Sequence, residues 1–353
     1  MDDWTVFLIE AGERIVFAPG LNRQRTFCIE ALVVAMREWL GHTHVGDCRD
    51  LMPLMIRDQV QIQTCVTSPP YWRLRDYGVC GQIGLERTFE AYVAEMVAVF
   101  RLVRELLAPD GTLWLNLGDC YASGGNPGIS DLAQLGRRFR GGGHKHRRIQ
   151  KPCRSVPHGM KAKDLLGLPW HVAFALRADG WYLRSDIVWV KPNAMPENVR
   201  DRPTRAHEFV FLLAKSPRYY YDQGAICEPV TSGPSDIRKM LEGQARLGGK
   251  HKRLVDPYSK ASSTTNIGRK RSVGNGRTRN RRSVWSIATA GFRGAHFAVF
   301  PKKLVEPCIQ AGSRPNDVVF DPFAGRGTTR EVATALGRRY IGCELKPAFV
   351  ALE

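Results

Sequence analysis

The chain has 353 residues, of which 43% are hydrophobic and 24% charged, and its formal net charge is +18. This length and apolar content exclude a disordered tail protein and predict one large or two modest globular domains. No uncharged apolar run approaches the roughly 20 residues of a membrane span, the N-terminus lacks a basic signal region, and the nine cysteines include no Cys-x-x-Cys pair. We expect a cytoplasmic protein with reduced thiols, no bound metal and no membrane contact.

Apolar periodicity predicts an N-terminal hairpin of Val6 to Ile9 with Ile15 to Phe17, and then a helix from Ile29 to Leu40. Strands are next predicted at Ile62 to Val66, Thr112 to Leu117, Ser185 to Val190, His207 to Leu213, Asp317 to Phe320 and Tyr340 to Cys343. Helices are predicted at Phe89 to Leu107, Pro169 to Asp179, Lys303 to Ala311 and Thr328 to Leu336. Strands that alternate with helices predict an α/β fold with a mostly parallel sheet covered on both faces.

The positive charge is concentrated in two segments. Arg137 to Lys163 contains ten Lys and Arg and no Asp or Glu, and Thr231 to Ser283 contains fourteen Lys and Arg against three Asp and Glu. Both have a loop composition rich in Gly, Ser and His, and the rest of the chain is slightly acidic. Two basic loops favour nucleic acid as a partner, because cationic side chains release counterions from a phosphate backbone. The alternative is two solvated loops without a partner.

The first motif that indicates chemistry is Thr67-Ser68-Pro69-Pro70-Tyr71, directly after a predicted strand. Two consecutive prolines fix φ and remove two N–H donors, so the turn presents its carbonyl groups on a rigid path. The Ser68 hydroxyl and a proline carbonyl can accept the two N–H bonds of an exocyclic amine, and Tyr71 can stack on the base. Such bonds would make the amine nitrogen a better nucleophile. The alternative is a Pro-Pro turn that only ends the strand.

The second motif runs from Asp321 to Thr329, between a predicted strand and a predicted helix. Its glycines, Gly325 and Gly327, let backbone N–H groups approach a ligand at the helix N-terminus. Glu344 follows Gly325 by 19 residues, at the end of the next strand, where a carboxylate can hold ribose hydroxyls. Together they predict a nucleoside-cofactor site. Arg330 stands where a dinucleotide fingerprint has its third glycine, which disfavours a nicotinamide cofactor, and a glycine turn used only for packing is the alternative.

In this order, the two motifs resemble those of the amino-methylating DNA methyltransferases, in the permuted β class whose catalytic motif precedes its cofactor motif. The similarity extends from Val45 to Glu344 and includes the stretches Gly111 to Asp119, Ile187 to Pro192 and His296 to Pro301. It implies a Rossmann-like, S-adenosyl-L-methionine-dependent methyltransferase fold with a circularly permuted motif order. The late cofactor strand must then pair with strands formed earlier in the chain. The resemblance also implies a base flipped out of double-stranded DNA and methylated without a metal.

The resemblance assigns roles to individual residues. The amine would be bound and activated by Ser68, Pro69, Pro70 and Tyr71. The cofactor would be held at its methionine part by Asp321, Phe323, Gly325, Gly327 and Thr328, at its ribose by Glu344 and at its adenine by Asp47, and it would be covered by His296, Phe300 and Pro301. For Asp47 the alternative is a turn residue, and for His296 a surface histidine. We expect His207-Glu208, which begins a strand, to be structural and not a catalytic dyad.

The two basic segments predict the DNA contacts, which we assign to Arg147, Arg148, Lys151, Arg269, Lys270 and Arg271. The predicted organisation has four parts. They are an N-terminal extension (1–44), a catalytic half (45–221) with a basic loop (122–164), a target-recognition region (222–283) and a cofactor-binding half (284–353).

Family members with Ser at the first motif position tend to methylate cytosine N4, and those with Asp tend to methylate adenine N6, so Ser68 favours cytosine. Adenine N6 stays open, because both amines have the same N=C–NH₂ environment. Two alternatives come from other classes: a nucleic-acid-binding protein that kept an inactive methyltransferase fold, and a nicotinamide oxidoreductase. A separately encoded restriction endonuclease is a further candidate partner.

Overall fold

The computed structural model describes residues 38–122, 156, 159–229, 278–289 and 300–351. The strands are β1 (Thr43–Val45), β2 (Ile62–Thr67), β3 (Leu107–Leu117), β4 (Tyr182–Val190), β5 (His207–Ala214), β6 (Glu228–Pro229), β7 (Thr278–Arg279), β8 (Val284–Ser286), β9 (Val318–Asp321) and β10 (Arg339–Glu344). The helices are α1 (Cys48–Arg57), α2 (Phe89–Leu106), α3 (Leu168–Ala178), α4 (Lys302–Gly312), α5 (Thr328–Ala335) and α6 (Pro347–Val350). The predicted N-terminal hairpin, nearly all of the helix that follows it and most of both basic segments lie outside the described residues.

Eight strands form one sheet in the order β1-β10-β9-β2-β3-β5-β4-β8. Neighbours from β1 to β3 are parallel, as are β4 and β8, whereas β5 runs antiparallel to both β3 and β4. A separate two-stranded sheet pairs β6 with β7. The mostly parallel α/β sheet predicted from the sequence is confirmed.

The last two strands of the described residues lie between the first two described strands in the sheet. β10 pairs with β1 through Thr43 and Gly342, and β9 pairs with β2 through Cys65 and Phe320. The cofactor strand therefore pairs with strands formed earlier in the chain, as predicted. Because β2 and β9 are parallel neighbours, the turns that follow them leave the sheet side by side, and this brings the two sequence motifs together.

Both faces of the central strands are buried. On β3, Leu113 and Leu115 join the apolar cluster formed with α1, α2 and α3, whereas Trp114 joins the cluster formed with α4 and α5. This alternation follows from the pleat of a strand, which turns successive side chains to opposite faces. Helices on both faces explain why the apolar sequence of β3 is nearly continuous.

Helix α2 combines a local start signal with a buried face. The Thr88 hydroxyl caps the helix by accepting the Ala91 N–H at 3.2 Å. Tyr92, Met96 and Val99 recur at helical spacing and are fully buried. The same face carries the Tyr92 hydroxyl towards the turn after β2.

Some boundaries differ from the prediction for physical reasons. β3 begins at Leu107 and includes the residues between the predicted helix and the strand predicted from Thr112, with an irregular register against β2. At Gly111 the strands approach so closely that an added Cβ would lie 3.0 Å from the Gln63 carbonyl oxygen. Helix α1 is not predicted from the sequence because Pro53 lies inside it. Strands β1 and β8 are too short to show an alternation of apolar and polar residues. No helix in the described part of the chain is long and apolar enough to cross a bilayer.

Candidate active site

A cavity of about 530 Å³ opens at the carboxyl ends of β1, β2, β9 and β10. This is the edge where parallel α/β sheets bind ligands, because the strand-to-helix turns converge there. Its lining includes ten of the residues that the sequence assigns to catalysis or to the cofactor, namely Asp47, Ser68, Pro69, Pro70, Tyr71, Phe300, Phe323, Gly325, Thr328 and Glu344. A single cavity therefore contains residues of both motifs.

The turn after β2 is held in place by Tyr92 of α2. The Tyr92 hydroxyl donates to the Pro70 carbonyl oxygen at 3.0 Å, and burial raises the pKa of this phenol, so it keeps its proton. Pro69 and Pro70 have no N–H to donate. The Pro70 oxygen already accepts one hydrogen bond within the fold, so we take the Ser68 hydroxyl and the Pro69 carbonyl as the first candidate acceptors for an amine.

The Tyr71 hydroxyl lies in a network of polar side chains. It donates to Glu208 Oε2 at 2.9 Å and lies 3.3 Å from Asn116 Oδ1 and 3.4 Å from Ser68 Oγ. Asn116 Nδ2 donates to Glu208 Oε2 at 3.2 Å, and Lys191 Nζ forms an ion pair with Glu208 Oε1. Burial, and then the charge of Glu208, raise the pKa of Tyr71 well above its usual value. The phenol therefore stays protonated at neutral pH.

Three members of this network, Asn116, Lys191 and Glu208, line the cavity although the sequence assigns them no role. Glu208 was expected to be structural at the start of its strand; it lines the cavity, and its carboxylate is bound by Tyr71, Asn116 and Lys191. The sequence does contain one signal for Asn116, which is an amide within the apolar stretch Leu113 to Leu117, close to the carboxyl end of β3. Glu208 shows no such signal, because many strands begin with a polar residue.

Gly118, just after β3, makes room for the network. An added Cβ would lie 2.6 Å from Tyr71 Cε2 and 3.2 Å from Glu208 Cδ. Real Cβ atoms do not approach a ring carbon this closely, so a side chain at this position would displace Tyr71 or Glu208. The absence of a side chain at Gly118 is therefore a condition for the contact between them.

The turn after β9 is built mainly from backbone groups. Gly325 and Gly327 have φ values of +61° and +78°, a left-handed conformation that glycine adopts without strain. The Gly325 N–H donates to Glu344 Oε2 at 2.8 Å, and the Lys346 N–H donates to Glu344 Oε1 at 2.9 Å. These bonds fix the Glu344 carboxylate at the edge of the cavity. Gly327 begins α5 and does not itself line the cavity.

The surroundings of this turn fit a nucleoside cofactor with an amino-acid tail. Thr328 Oγ1 is buried and has no hydrogen-bond partner among the described residues, yet Thr328 lines the cavity at the N-terminus of α5. A buried hydroxyl without a partner is costly, and a polar or anionic ligand group at a helix N-terminus would satisfy it. Phe300 and Phe323 supply apolar wall, and Glu344 supplies an acceptor for hydroxyl groups.

Asp321 is buried and does not line the cavity. Its carboxylate accepts the Thr67 hydroxyl at 2.6 Å, the Thr329 hydroxyl at 2.7 Å and the Phe323 N–H at 3.0 Å. It therefore joins the end of β2 to the turn after β9 and does not face the ligand space. Pro301 also lies outside the lining, at the start of α4.

Asp47 lines the cavity, and its carboxylate also makes hydrogen bonds within the protein. It caps α1 by accepting the Arg49 N–H at 2.9 Å, and the Arg49 guanidinium binds both of its oxygens. Burial acts to raise the pKa of Asp47, but the hydrogen bonds and charge of Arg49 outweigh it and hold that pKa below its usual value. Arg49 also pairs with Glu95 and donates to the Gly81 carbonyl oxygen at 2.6 Å. Asp47 therefore has the structural role of a turn residue at the start of α1, in addition to its place in the cavity lining.

The other predicted site residues lie outside the described residues, and their roles stay predictions. They are His296, Arg147, Arg148, Lys151, Arg269, Lys270 and Arg271. Across the described ranges, no group of three or more His, Cys, Asp or Glu is arranged to hold a metal ion.

The sequence matches a family described as DNA methylase, of the N6/N4 type, over residues 62–352. It is 43% identical over 290 residues to the Type II methyltransferase M.Cfr9I of Citrobacter freundii, which covers 82% of this chain and 79% of that protein. It is 42% identical over 309 residues to the Type II methyltransferase M.SmaI of Serratia marcescens, covering 87% of each. Among solved structures, a PvuII DNA methyltransferase described as cytosine-N4-specific matches with a TM-score of 0.51 and 20% identity, over 89% of this chain and 86% of that one. The last match shows a common fold.

Proposed function

The chain belongs to the N6/N4 DNA methylase family, and we propose that it methylates the N4 amine of cytosine in double-stranded DNA. It is a DNA methyltransferase of the N4/N6 class, related to Type II enzymes, and this membership removes the nicotinamide oxidoreductase alternative. The observation that carries the proposal is the cavity, in which Ser68 to Tyr71 face the same space as Gly325, Thr328 and Glu344. An amine and a methyl donor bound there would be neighbours.

The cofactor is S-adenosyl-L-methionine, whose sulfonium supplies an electrophilic methyl group. Glu344 binds the ribose hydroxyls, and Thr328 with the N-terminus of α5 binds the methionine end. The unpartnered Thr328 hydroxyl supports this assignment, since a ligand group there would provide the missing hydrogen bond. Phe300 and Phe323 cover the apolar parts of the cofactor.

The flipped base occupies the opposite side of the cavity. Ser68 and the Pro69 carbonyl accept the two N–H bonds of its amine, while the ring of Tyr71 stacks on the base. These hydrogen bonds draw the nitrogen lone pair out of conjugation with the ring and so activate it. Positioning of the two reacting groups supplies much of the remaining acceleration.

Cytosine is the proposed base because Ser68 stands at the first position of the motif. Sequencing DNA from a methylation-free host that expresses the protein tests this choice. We expect N4-methylcytosine at one short sequence, and none when the host expresses Ser68→Ala. N6-methyladenine at one sequence would contradict the choice of base, and unmodified DNA from a host that makes the folded protein would contradict the function and favour the inactive binding protein.

The two basic segments have separate tasks in this proposal. Arg147, Arg148 and Lys151 contact phosphates, whereas the region 222–283, which includes the run Arg269 to Arg271, reads the target sequence. Neutralising the first three should weaken binding to all DNA about equally and reduce the salt slope by about 0.9 per lost contact. Exchange of 222–283 with a relative should move methylation to another sequence. Methylation of the parental site by that chimera would contradict this division.

We also propose a restriction endonuclease, encoded separately and cutting the methylated sequence, as the partner in the cell. The Type II names of the relatives support this. Plasmid methylated by the parental protein should resist that nuclease, and plasmid from a Ser68→Ala strain should be cut. Equal cutting of both plasmids by a nuclease that recognises the mapped site would contradict the pairing.

A further inference from the structure

Glu208 reaches the base side of the cavity from the start of β5. In the sheet it stands opposite Trp189 of β4, and its carboxylate is bound by Tyr71, Asn116 and Lys191. Both Glu208 and Lys191 line the cavity, so this ion pair is a part of the site that the proposed mechanism does not use.

The direction of each hydrogen bond in this network follows from the chemistry of its members. Asn116 Nδ2 donates to Glu208 at 3.2 Å and to the Phe209 carbonyl oxygen at 3.1 Å, which fixes the orientation of the amide. A carboxylate only accepts, so the Tyr71 hydroxyl donates its one proton to Glu208, its nearer acceptor at 2.9 Å. The oxygen of Tyr71 is then left to accept.

The next bond in the chain joins Tyr71 to Ser68, whose oxygens lie 3.4 Å apart. Because the Tyr71 proton is committed to Glu208, this bond requires Ser68 to donate. The lone pairs of Ser68 Oγ are then available to accept an N–H. A serine that instead accepted from Tyr71 would use one of its two lone pairs for that bond and would leave its own proton free to turn towards the ligand, where it would oppose the amine donor.

We propose that Glu208 is a positioning residue, which acts through Tyr71 to hold Ser68 as an acceptor for the target amine. This inference rests on the proposed methylation and adds a residue to it. Lys191 holds the other carboxylate oxygen of Glu208, and the nitrogen of Lys191 lies 4.5 Å from the centre of the Trp189 ring. Gly118 keeps open the space in which Glu208 meets Tyr71. These contacts fix the carboxylate in the position from which it orients Tyr71.

The raised pKa of Tyr71 supports the same direction of bonding. A phenol that keeps its proton at neutral pH always has one hydrogen to give to Glu208. The hydrogen-bond chain from Glu208 through Tyr71 to Ser68 therefore has one stable polarity, with the carboxylate at its accepting end.

The test replaces Glu208 by its isosteric amide. Glu208→Gln can donate to Tyr71 and so permits the reversed chain. We expect the single-turnover rate of methyl transfer to DNA to fall about 10- to 100-fold, while the dissociation constants of S-adenosyl-L-methionine and DNA stay within about twofold of the parental values. Glu331→Gln is the matched control, because Glu331 also pairs with a lysine, Lys302, but is exposed and outside the cavity lining.

Tyr71→Phe provides a second variant that keeps both the ring and the ion pair of Glu208. It removes the hydroxyl that connects Glu208 to Ser68, so it should slow methyl transfer by itself. In the Tyr71→Phe background, Glu208→Gln should then have no further effect on the rate. Effects that multiply in the double variant, or a parental rate in either single variant, would overturn the inference. A parental protein that binds S-adenosyl-L-methionine and transfers no methyl to DNA would overturn the proposed function instead.

Discussion

The two sides of the cavity are made from different kinds of group. On the cofactor side, left-handed glycines and backbone N–H groups form the turn after β9, and two of those N–H groups fix Glu344. On the base side, four side chains from separate parts of the sheet form a network. They are Tyr71 in the turn after β2, Asn116 on β3, Lys191 just after β4 and Glu208 on β5. A backbone-built surface depends on one short stretch of sequence, whereas a side-chain network depends on which strands are neighbours.

This difference predicts that the two sides respond independently to mutation. A change at Glu344 should affect cofactor affinity and leave the network at Tyr71 intact. A change at Gly118 should disturb the network at Tyr71 and leave cofactor affinity unchanged. The shared element is buried Asp321, which joins β2 to the cofactor turn, so changes to its partners should affect the stability of both sides together.

The largest effect is expected for Glu344→Ala. Loss of charge-assisted hydrogen bonds costs about 1.5–3 kcal/mol, or roughly 10- to 150-fold in S-adenosyl-L-methionine affinity. The upper part of that range is expected, because the Gly325 and Lys346 N–H groups also lose their acceptor. Calorimetric titration measures the affinity. Unchanged cofactor binding by the folded variant would remove Glu344 from the site.

Gly118→Ala should act on the base side alone. Overpacking of this kind costs about 1–3 kcal/mol, and here it separates Tyr71 from Glu208. We expect methyl transfer to slow by about one to two orders of magnitude at unchanged cofactor affinity. A parental rate of methyl transfer in Gly118→Ala would mean that the contact between Tyr71 and Glu208 does not contribute to the reaction.

The next effect is on stability, and it is expected for Thr329→Val. The variant removes a hydroxyl that donates to the buried Asp321 carboxylate, and hydrogen bonds to charged groups contribute about 1.5–3 kcal/mol. Urea unfolding should show that loss. Thr64→Val is the control, because Thr64 bonds to the neutral Thr112 and should cost only about 0.5–1.5 kcal/mol. Equal losses in the two variants would argue against a special role for Asp321.

The smallest effect concerns Arg49, which holds the pKa of Asp47 below its usual value. A carboxyl group whose folded pKa is depressed contributes stability above its unfolded pKa, near 3.9, and loses it as the pH falls through the folded value. Partly exposed pairs contribute about 0–1 kcal/mol. Arg49→Ala should therefore destabilise the protein slightly at pH 7 and less at pH 3. The free energy of unfolding is measured for the parent and for Arg49→Ala at both pH values. A difference between the two proteins that grows towards pH 3 would contradict the pairing of Arg49 with Asp47.

The strands that carry the motifs are predictable from sequence because their signals are local. β2 is predicted to end at Val66 and ends at Thr67, and β10 is predicted to end at Cys343 and ends at Glu344. The turn after β9 is equally local, since its glycines are required by the positive φ values found there.

The residues that sequence does not reveal act across the sheet. Asp321 belongs to the cofactor motif, but its buried carboxylate accepts a hydrogen bond from Thr67 of β2, which lies 254 residues away in the chain. Glu208 resembles any polar residue at the start of a strand until β5 is placed beside β3. The network therefore becomes visible only when the strand order is known.

Cofactor binding and single-turnover methyl transfer, measured together in parental protein, Ser68→Ala and Glu344→Ala, test the division of the cavity most directly. The expected result is that Ser68→Ala binds S-adenosyl-L-methionine like the parent but forms N4-methylcytosine far more slowly. Glu344→Ala should bind the cofactor weakly and approach the parental rate when the cofactor is saturating. If the parent forms no N4-methylcytosine, or if Ser68→Ala forms it at the parental rate, cytosine-N4 methylation activated by Ser68 is contradicted.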